Sequence, residues 1–146
     1  MIAALVEAAV GRADRKRRAQ RIAAVVRRAG GYRWVGIYDV TPDGIAVVGW
    51  DGPGPPAHPS FPRTAGLCGA AVAARETVVV GDVDRDPRYL TTLGTTRAEV
   101  VVPVVGSEGV VGLIDVESER PHAFDERDTR LLERCAGVIA PLWRSA

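Results

Sequence analysis

Thiol and carboxyl side chains from residue 68 onwards carry most of the chemistry that the sequence of this 146-residue chain offers. Cys68 follows Gly66 and begins a predicted short helix, where backbone N–H groups favour a thiolate. Asp115 and Glu117 are two positions apart in a run of valine and isoleucine, so they share one face of a predicted strand. Burying such acids without partners is costly. They indicate either a pocket for a cationic group or a surface position.

Three further residues extend this set. Glu99 begins another valine-rich run, and His58 lies in a loop rich in proline and glycine. His58 is the base of a cysteine–histidine pair, a ligand of a metal shared with Cys68 or, as the favoured interpretation, a solvated loop residue. Cys135 has the spacing of a core position on the last predicted helix. The sequence has no chelating repeat, so neither a metal site nor a cofactor is predicted.

Helices at both ends must frame these residues. Apolar spacing predicts one leading helix over 1–29, ending at a Gly-Gly pair. Asp125 is the predicted N-cap of a last helix that runs to about Trp143. Between them, short helices are predicted at 68–75 and at about 87–93.

Two hairpins are the other main elements. One spans 32–50 around the turn Thr-Pro-Asp-Gly, and the second spans 99–116, where Pro103 predicts an edge or bulged position. A further strand is predicted at 77–80. Long irregular stretches at 51–67 and 82–96 separate these elements. This order predicts an α+β fold: an antiparallel sheet with helices packed on it.

The near-zero net charge of +1 hides an uneven distribution. Residues 1–33 contain nine basic and two acidic side chains, whereas 34–146 contain ten basic and sixteen acidic ones. The arginines are spread around the leading helix without interleaved aromatic residues, which favours a solvated, partly dimer-facing helix over a nucleic-acid or membrane partner. With no long apolar run and no basic leader, the chain is predicted to be cytoplasmic, with reduced thiols.

Six motifs, in this order and spacing, resemble the GAF domain and, within that superfamily, the free methionine-(R)-sulfoxide reductases. They cover about residues 20–143 and are RWVGIY (33–38), GLCGAA (66–71), VVGDV (79–83), AEVVVPV (98–104), GLIDVES (112–118) and AFDE (123–126). The resemblance implies one GAF domain over 1–146. Its terminal helices would pack on one face of the sheet, and ligand-covering loops would lie on the other.

The resemblance also implies a site. The family reduces the free amino acid's sulfoxide by cysteine chemistry in a closed pocket whose acids hold the substrate. By motif position, the catalytic candidates are Cys68 and His58. The substrate-binding candidates are Trp34, Tyr38, Glu99, Asp115 and Glu117.

This chain departs from the family at two of its three cysteines. The attacking cysteine corresponds to Thr92, and a further family cysteine corresponds to His58. A threonine hydroxyl cannot replace a thiolate in sulfoxide reduction. If catalysis persists, Cys68 must attack directly and be restored by thioredoxin or another thiol.

The leading hypothesis is a homodimeric GAF domain that binds a small amino-acid-like or cationic ligand. Two alternatives stay open: a non-catalytic sensor or interaction module, and a different reaction in the same pocket.

Overall fold

The computed structural model describes residues 1–144. Six strands form one sheet in the order β3-β2-β1-β6-β5-β4, and every neighbouring pair is antiparallel. The strands are β1 (Trp34–Thr41), β2 (Gly44–Asp51), β3 (Ser60–Phe61), β4 (Val78–Val80), β5 (Ala98–Gly106) and β6 (Gly109–Ser118). The α-helices are α1 (Ile2–Val10), α2 (Arg15–Gly30), α3 (Gly66–Ala74) and α4 (Glu126–Ile139). The predicted α+β architecture and both predicted hairpins are confirmed.

The prediction of a single leading helix is wrong, because the structure divides this segment into two helices. Gly11 adopts an extended conformation and ends α1. Asp14 then caps α2 by accepting a hydrogen bond from the backbone N–H of Arg17 at 3.0 Å. Arg18 donates to the carbonyl oxygens of Ala8 and Ala9. The break lets α1 fold back onto α2, while these bonds satisfy carbonyl groups that the end of α1 leaves open.

Two smaller elements also differ from expectation. The helix expected near 87–93 is absent from the described chain; a 3-10 turn at Val83–Arg85 precedes an irregular segment there. The short strand β3, which pairs with β2, lies in the stretch expected to be irregular. Polar and turn-forming residues dominate both stretches, so tertiary contacts decide their course.

The sheet separates two apolar layers. On one face, α1, α2 and α4 pack on inward-facing residues such as Ile37, Val100, Ile114 and Val116. On the other face, α3 and the irregular segments cover Tyr38, Val101 and Leu113. Helices at both ends therefore share one face, as expected.

A polar node joins distant parts of the helical layer. Arg15 binds the Asp39 carboxylate with its two terminal guanidinium nitrogens, at 2.8 and 2.6 Å. The Trp143 indole N–H donates to the same carboxylate at 2.8 Å, and the Arg15 guanidinium lies 5.8 Å from its ring centroid. The node fixes the start of α2 and the end of the described chain against β1.

The outer edge of β5 is only partly covered. Strand β4 pairs with Val101, Val100 and Glu99, so Pro103 lies beyond the paired segment, as its ring favours. On α1, Val6 and Val10 are exposed; the predicted dimer contact of the leading segment stays a prediction. Among the residues that the structure covers, no helix is both long and apolar enough to span a bilayer.

Candidate ligand-binding site

Three carboxyl groups converge on the sheet face opposite α1, α2 and α4. In the β5–β6 ladder, Glu99 lies opposite Glu117, and Val101 lies opposite Asp115. Asp115 and Glu117 alternate with Ile114 and Val116, which face the helical layer. All three acids are buried, with exposed fractions of 3% for Glu99, 1% for Asp115 and 0% for Glu117. The pocket interpretation of these acids is therefore favoured over a surface position.

Helix α3 brings the thiol of Cys68 to the same place. Gly66, at the start of the helix, has a φ of +73°, a left-handed conformation that favours glycine. Gly69 packs against the backbone of Thr64, where a Cβ atom would clash. The left-handed conformation of Gly66 and the close approach at Gly69 together set the backbone path of the first turn of α3. The Cys68 sulfur and one oxygen each from Glu99 and Asp115 lie within 4.8 Å of one another.

Two irregular segments, 52–65 and 86–97, form a roof over these groups. His58 and Phe61 of the first segment and Leu90 and Thr92 of the second line the enclosed space. The backbone N–H of Ala57 donates to the carbonyl of Thr92 at 2.8 Å and joins the two segments. The remaining cavity is about 10 Å³, roughly the space that one water molecule needs. The structure is thus a closed form of the pocket.

Burial dominates the electrostatics of the acids. It raises the pKa of Glu99, Asp115 and Glu117 well above the ordinary carboxyl range, and their mutual repulsion raises these pKa values further. The Thr96 hydroxyl opposes this effect at Glu117 by donating to Oε1 at 2.8 Å. The cluster therefore favours protonation unless a cation enters it.

Three buried oxygen atoms have no hydrogen-bond partner within residues 1–144: both oxygens of Asp115 and Oε2 of Glu117. Buried polar atoms in folded proteins are nearly always paired. In the ligand-free protein, protons shared with the neighbouring carboxyl groups can pair these oxygens, and a cationic ligand would replace those protons.

The thiol of Cys68 is not activated in the closed form. Burial raises its pKa well above the usual thiol value, and the nearby carboxyl groups, led by Asp115, raise it further. These effects outweigh the positive end of α3. Burial likewise raises the pKa of Cys135, to about 11, but that residue lies in the helical layer on the other face.

The remaining predicted residues fall into two groups. Tyr38 lines the cavity and packs on Phe61, with ring centroids 5.9 Å apart. Trp34 and Glu117 do not line the closed cavity, although they lie opposite each other in the β1–β6 ladder. The Trp34 indole instead donates to the carbonyl of Gly54 in the roof at 2.9 Å.

Sequence reasoning missed several contributors. Phe61, Leu90 and Thr91 line the cavity, and Thr96 binds Glu117. No pattern in the sequence singles them out, since they lie in or beside irregular segments. Thr92, identified only by its family position, does line the cavity and is 8% exposed.

Comparisons with known proteins agree with this fold. The GAF domain model matches residues 14–141. The free methionine-R-sulfoxide reductase of Saccharomyces cerevisiae is 36% identical over 75 residues, which are 51% of this chain. The match covers 42% of that enzyme, so the aligned part of this chain spans less than half of the enzyme's length.

Two solved structures match a larger share of the chain. A free methionine-R-sulfoxide reductase from Neisseria meningitidis, in complex with its substrate, is 30% identical; the match covers 97% of this chain and 85% of that one, with a TM-score of 0.85. A type II free methionine-R-sulfoxide reductase from Thermoplasma acidophilum is also 30% identical; coverage is 88% and 94%, with a TM-score of 0.79.

Proposed function

Because this chain belongs to the GAF domain family, we propose that it binds a small molecule with a primary ammonium group, of the free amino acid class, beneath its roof. The observation that carries this proposal is the set of three unpaired oxygens on Asp115 and Glu117. A primary ammonium group has three N–H donors and no acceptor. It matches the number and the charge of these acceptors, which a neutral or anionic ligand would not.

The start of α3 supports an amino acid over a simple amine. The first hydrogen bond at this end runs from the N–H of Gly69 to the carbonyl of Ala65 at 2.9 Å, and Ala65 supplies no side-chain cap. The N–H groups of Gly66, Leu67 and Cys68 precede that bond, and all three residues line the cavity. Such an end of a helix favours a carboxylate. Ammonium at the acids and carboxylate at α3 would orient a zwitterion between them.

Entry requires the roof to move, since the closed cavity of about 10 Å³ is far smaller than an amino acid. The roof consists of irregular segments rather than sheet, and segments of this type open more readily than the core. The bond between Ala57 and Thr92 is one of the contacts that opening must break. Ligand and roof would then close together around the buried acids.

Sulfoxide reduction is a second candidate, favoured by the similarity to two reductases over most of the chain and by the position of Cys68 beside Glu99 and Asp115. In this reaction the Cys68 sulfur would attack the sulfoxide sulfur, and a protonated carboxyl would donate to its oxygen. A bond forms between the two sulfur atoms as the sulfur–oxygen bond breaks, and the oxygen leaves as water with the proton of the carboxyl and that of the thiol. A water molecule then attacks the Cys68 sulfur and displaces methionine, which returns a proton to the carboxylate and leaves a sulfenic acid on Cys68. An external dithiol then reduces the sulfenic acid, giving water and a disulfide.

The binding proposal is tested by calorimetry and thermal shift with L-methionine, L-methionine-(R)-sulfoxide, propylamine and propionate, all in chelator. We expect the amino acids to bind tightest, propylamine to bind weakly and propionate to leave the protein unchanged. Asp115→Asn should weaken amino acid binding by about 10- to 100-fold, the range for a hydrogen bond to a charged group. Stabilisation by propionate alone, or by none of the ammonium compounds, would overturn the proposal.

Turnover is tested separately with free methionine-(R)-sulfoxide and a thioredoxin system. A wild-type rate equal to that of Cys68→Ser excludes the reductase candidate and leaves binding intact. Cys135→Ser is the matched control, since this second buried cysteine lies on the other face of the sheet. Thr92→Cys restores a thiol at a buried cavity position, and we expect it to raise turnover above that of the wild type.

A further inference from the structure

Cys68 is a buried group that an ammonium ligand would not use. Its sulfur lies with oxygens of Glu99 and Asp115 inside a 4.8 Å cluster, and the three residues are only 4%, 3% and 1% exposed. We infer that these side chains form a site for a divalent transition-metal cation of the zinc class, which competes with the ammonium ligand. The inference uses the carboxyl groups of the proposed function but does not depend on its ligand.

The spacing of the three atoms suits a tetrahedral ion after a small contraction. Zinc binds sulfur at about 2.3 Å and carboxylate oxygen at about 2.0–2.2 Å, so neighbouring ligand atoms lie about 3.3–3.6 Å apart. The observed limit of 4.8 Å exceeds this by about 1.2 to 1.5 Å. The three residues lie on α3, β5 and β6, and rotations about their side-chain bonds can supply a shift of this size.

The unpaired oxygens give independent support. Both oxygens of Asp115 lack partners throughout the described chain, and Oε2 of Glu117 lacks one beside them. Thr96 holds the other oxygen of Glu117 at 2.8 Å. One lone pair of Asp115 would bind the ion, beside the sulfur of Cys68 and one oxygen of Glu99.

The closed cavity also distinguishes an ion from an organic ligand. About 10 Å³ accommodates a single ion or water, and not an amino acid. The closed form therefore has room for the metal, whereas an amino acid requires the roof to open and then to close again around it. Because both occupants need Asp115, one must exclude the other.

The thiol determines which cations fit. Magnesium and calcium prefer oxygen ligands, whereas a thiolate selects zinc and chemically similar ions. A thiolate and two carboxylates would carry three negative charges against the two positive charges of the ion. The absence of a chelating repeat does not argue against the site, because its ligands come from three separate elements.

The test is a titration of chelator-treated, reduced full-length protein with cobalt(II), followed by zinc. We expect one equivalent of cobalt to give the near-ultraviolet sulfur-to-cobalt charge-transfer band, and zinc to abolish it by displacement. Cys135→Ser should retain the band, whereas Cys68→Ser should lose it. Magnesium should neither displace cobalt nor raise the melting temperature.

The wild-type spectrum alone can overturn the inference: no charge-transfer band at one equivalent excludes thiolate ligation, even if a variant fails to fold. A band that survives in folded Cys68→Ser, checked by circular dichroism, would assign the metal elsewhere. With zinc bound, the thermal shift produced by an amino acid should disappear. Because amino acid binding is measured in chelator, failure of the metal site and failure of the ammonium site give different results.

Discussion

The two faces of the sheet are formed by the same strands, but one face is apolar and the other contains buried acids. Along β6, Ile114 and Val116 enter an apolar layer under α1, α2 and α4. Asp115 and Glu117, the alternating residues, are buried equally well on the opposite face, yet three of their oxygens lack partners. The helical face is packed for stability, whereas the pocket face keeps unsatisfied polar atoms that a ligand can pair. Such local violations of packing rules are expected at functional sites.

The segments that cover the two faces also differ, since helices cover one face and irregular backbone covers most of the other. Helices satisfy their own backbone hydrogen bonds and cover the apolar face along its length. The acids are covered largely by segments 52–65 and 86–97, which contain no α-helix and only the two-residue strand β3. Binding residues are often held on a rigid scaffold and closed by loops. One face therefore holds the sheet together, and the other can open.

The largest expected effect lies on the helical face. Ile114→Ala should lower the free energy of unfolding by about 2–5 kcal/mol, because it leaves a cavity in a fully buried layer. Urea denaturation measures the loss, and Val105→Ala, at a position 56% exposed, is the control expected to stay within about 0.5 kcal/mol. A loss below about 1 kcal/mol for Ile114→Ala would show that this face is not tightly packed.

Asp115, next to Ile114 in β6, should show a change in the free energy of unfolding of the opposite sign. In ligand-free protein at pH 8, Asp115→Asn should raise the free energy of unfolding by about 1 kcal/mol or more, because the folded wild type must keep this buried carboxyl protonated although the unfolded chain ionises it. The same variant should lose amino acid binding. Asp43→Asn, in the exposed β1–β2 turn, is the matched control. Destabilisation by Asp115→Asn in ligand-free protein would contradict the contrast between the faces.

The pocket face also predicts how stability depends on pH. The raised pKa values of Glu99, Asp115 and Glu117 mean that, above about pH 4, the unfolded chain releases protons before the folded protein does. The folded state then holds more protons, so stability should fall as the pH rises from about 5 to 8. The pKa values of Asp86 and Asp125 are lowered, so these two residues change the stability only at pH values below this range.

Melting temperatures in chelator across this pH range measure the effect. Asp115→Asn should give a shallower dependence than the wild type. A flat or rising wild-type profile would remove the electrostatic distinction between the two faces.

The smallest expected effect is a difference between the two cysteines. Both thiols are buried and have raised pKa values, so both should react slowly with a disulfide reagent at pH 8. Cys68 should react faster, because opening the roof exposes it, whereas Cys135 requires disruption of the helical layer. An amino acid ligand should slow only Cys68. Equal rates, measured by mass spectrometry of the labelled peptides, would mean that the roof opens no more readily than the core.

Much of the fold could be predicted from local signals. The turn Thr-Pro-Asp-Gly fixes the first hairpin, and Asp125 caps α4 through bonds from the N–H groups of Arg127 and Asp128. The prediction of one continuous helix from apolar spacing was wrong at Gly11, since the same spacing continues on both sides of the break. The decisive contact there, from Arg18 to Ala8, joins two helices and leaves no local pattern.

The candidate site was predictable only in part. Alternation places Asp115 and Glu117 on one face of β6, and the family motifs identify Glu99 and Cys68. The distances among them depend on β5–β6 register and on how α3 approaches the sheet, which the sequence does not encode locally. The resemblance predicted that loops cover this face of the sheet, but the contacts of Leu90 and Phe61 with the pocket could not be predicted, because both residues meet it through irregular backbone.

The node of Arg15, Asp39 and Trp143 has a consequence for the order of folding. Trp143 and Asp39 are 104 residues apart in the chain, so their bond closes a very long loop. Hairpins such as β1–β2 close over a few residues and lose far less chain entropy before they gain contacts. We therefore expect the hairpins to form first and the node to form late, as the step that docks the helical layer. In stopped-flow refolding, replacing Trp143 with phenylalanine should mainly speed unfolding and leave the folding rate nearly unchanged.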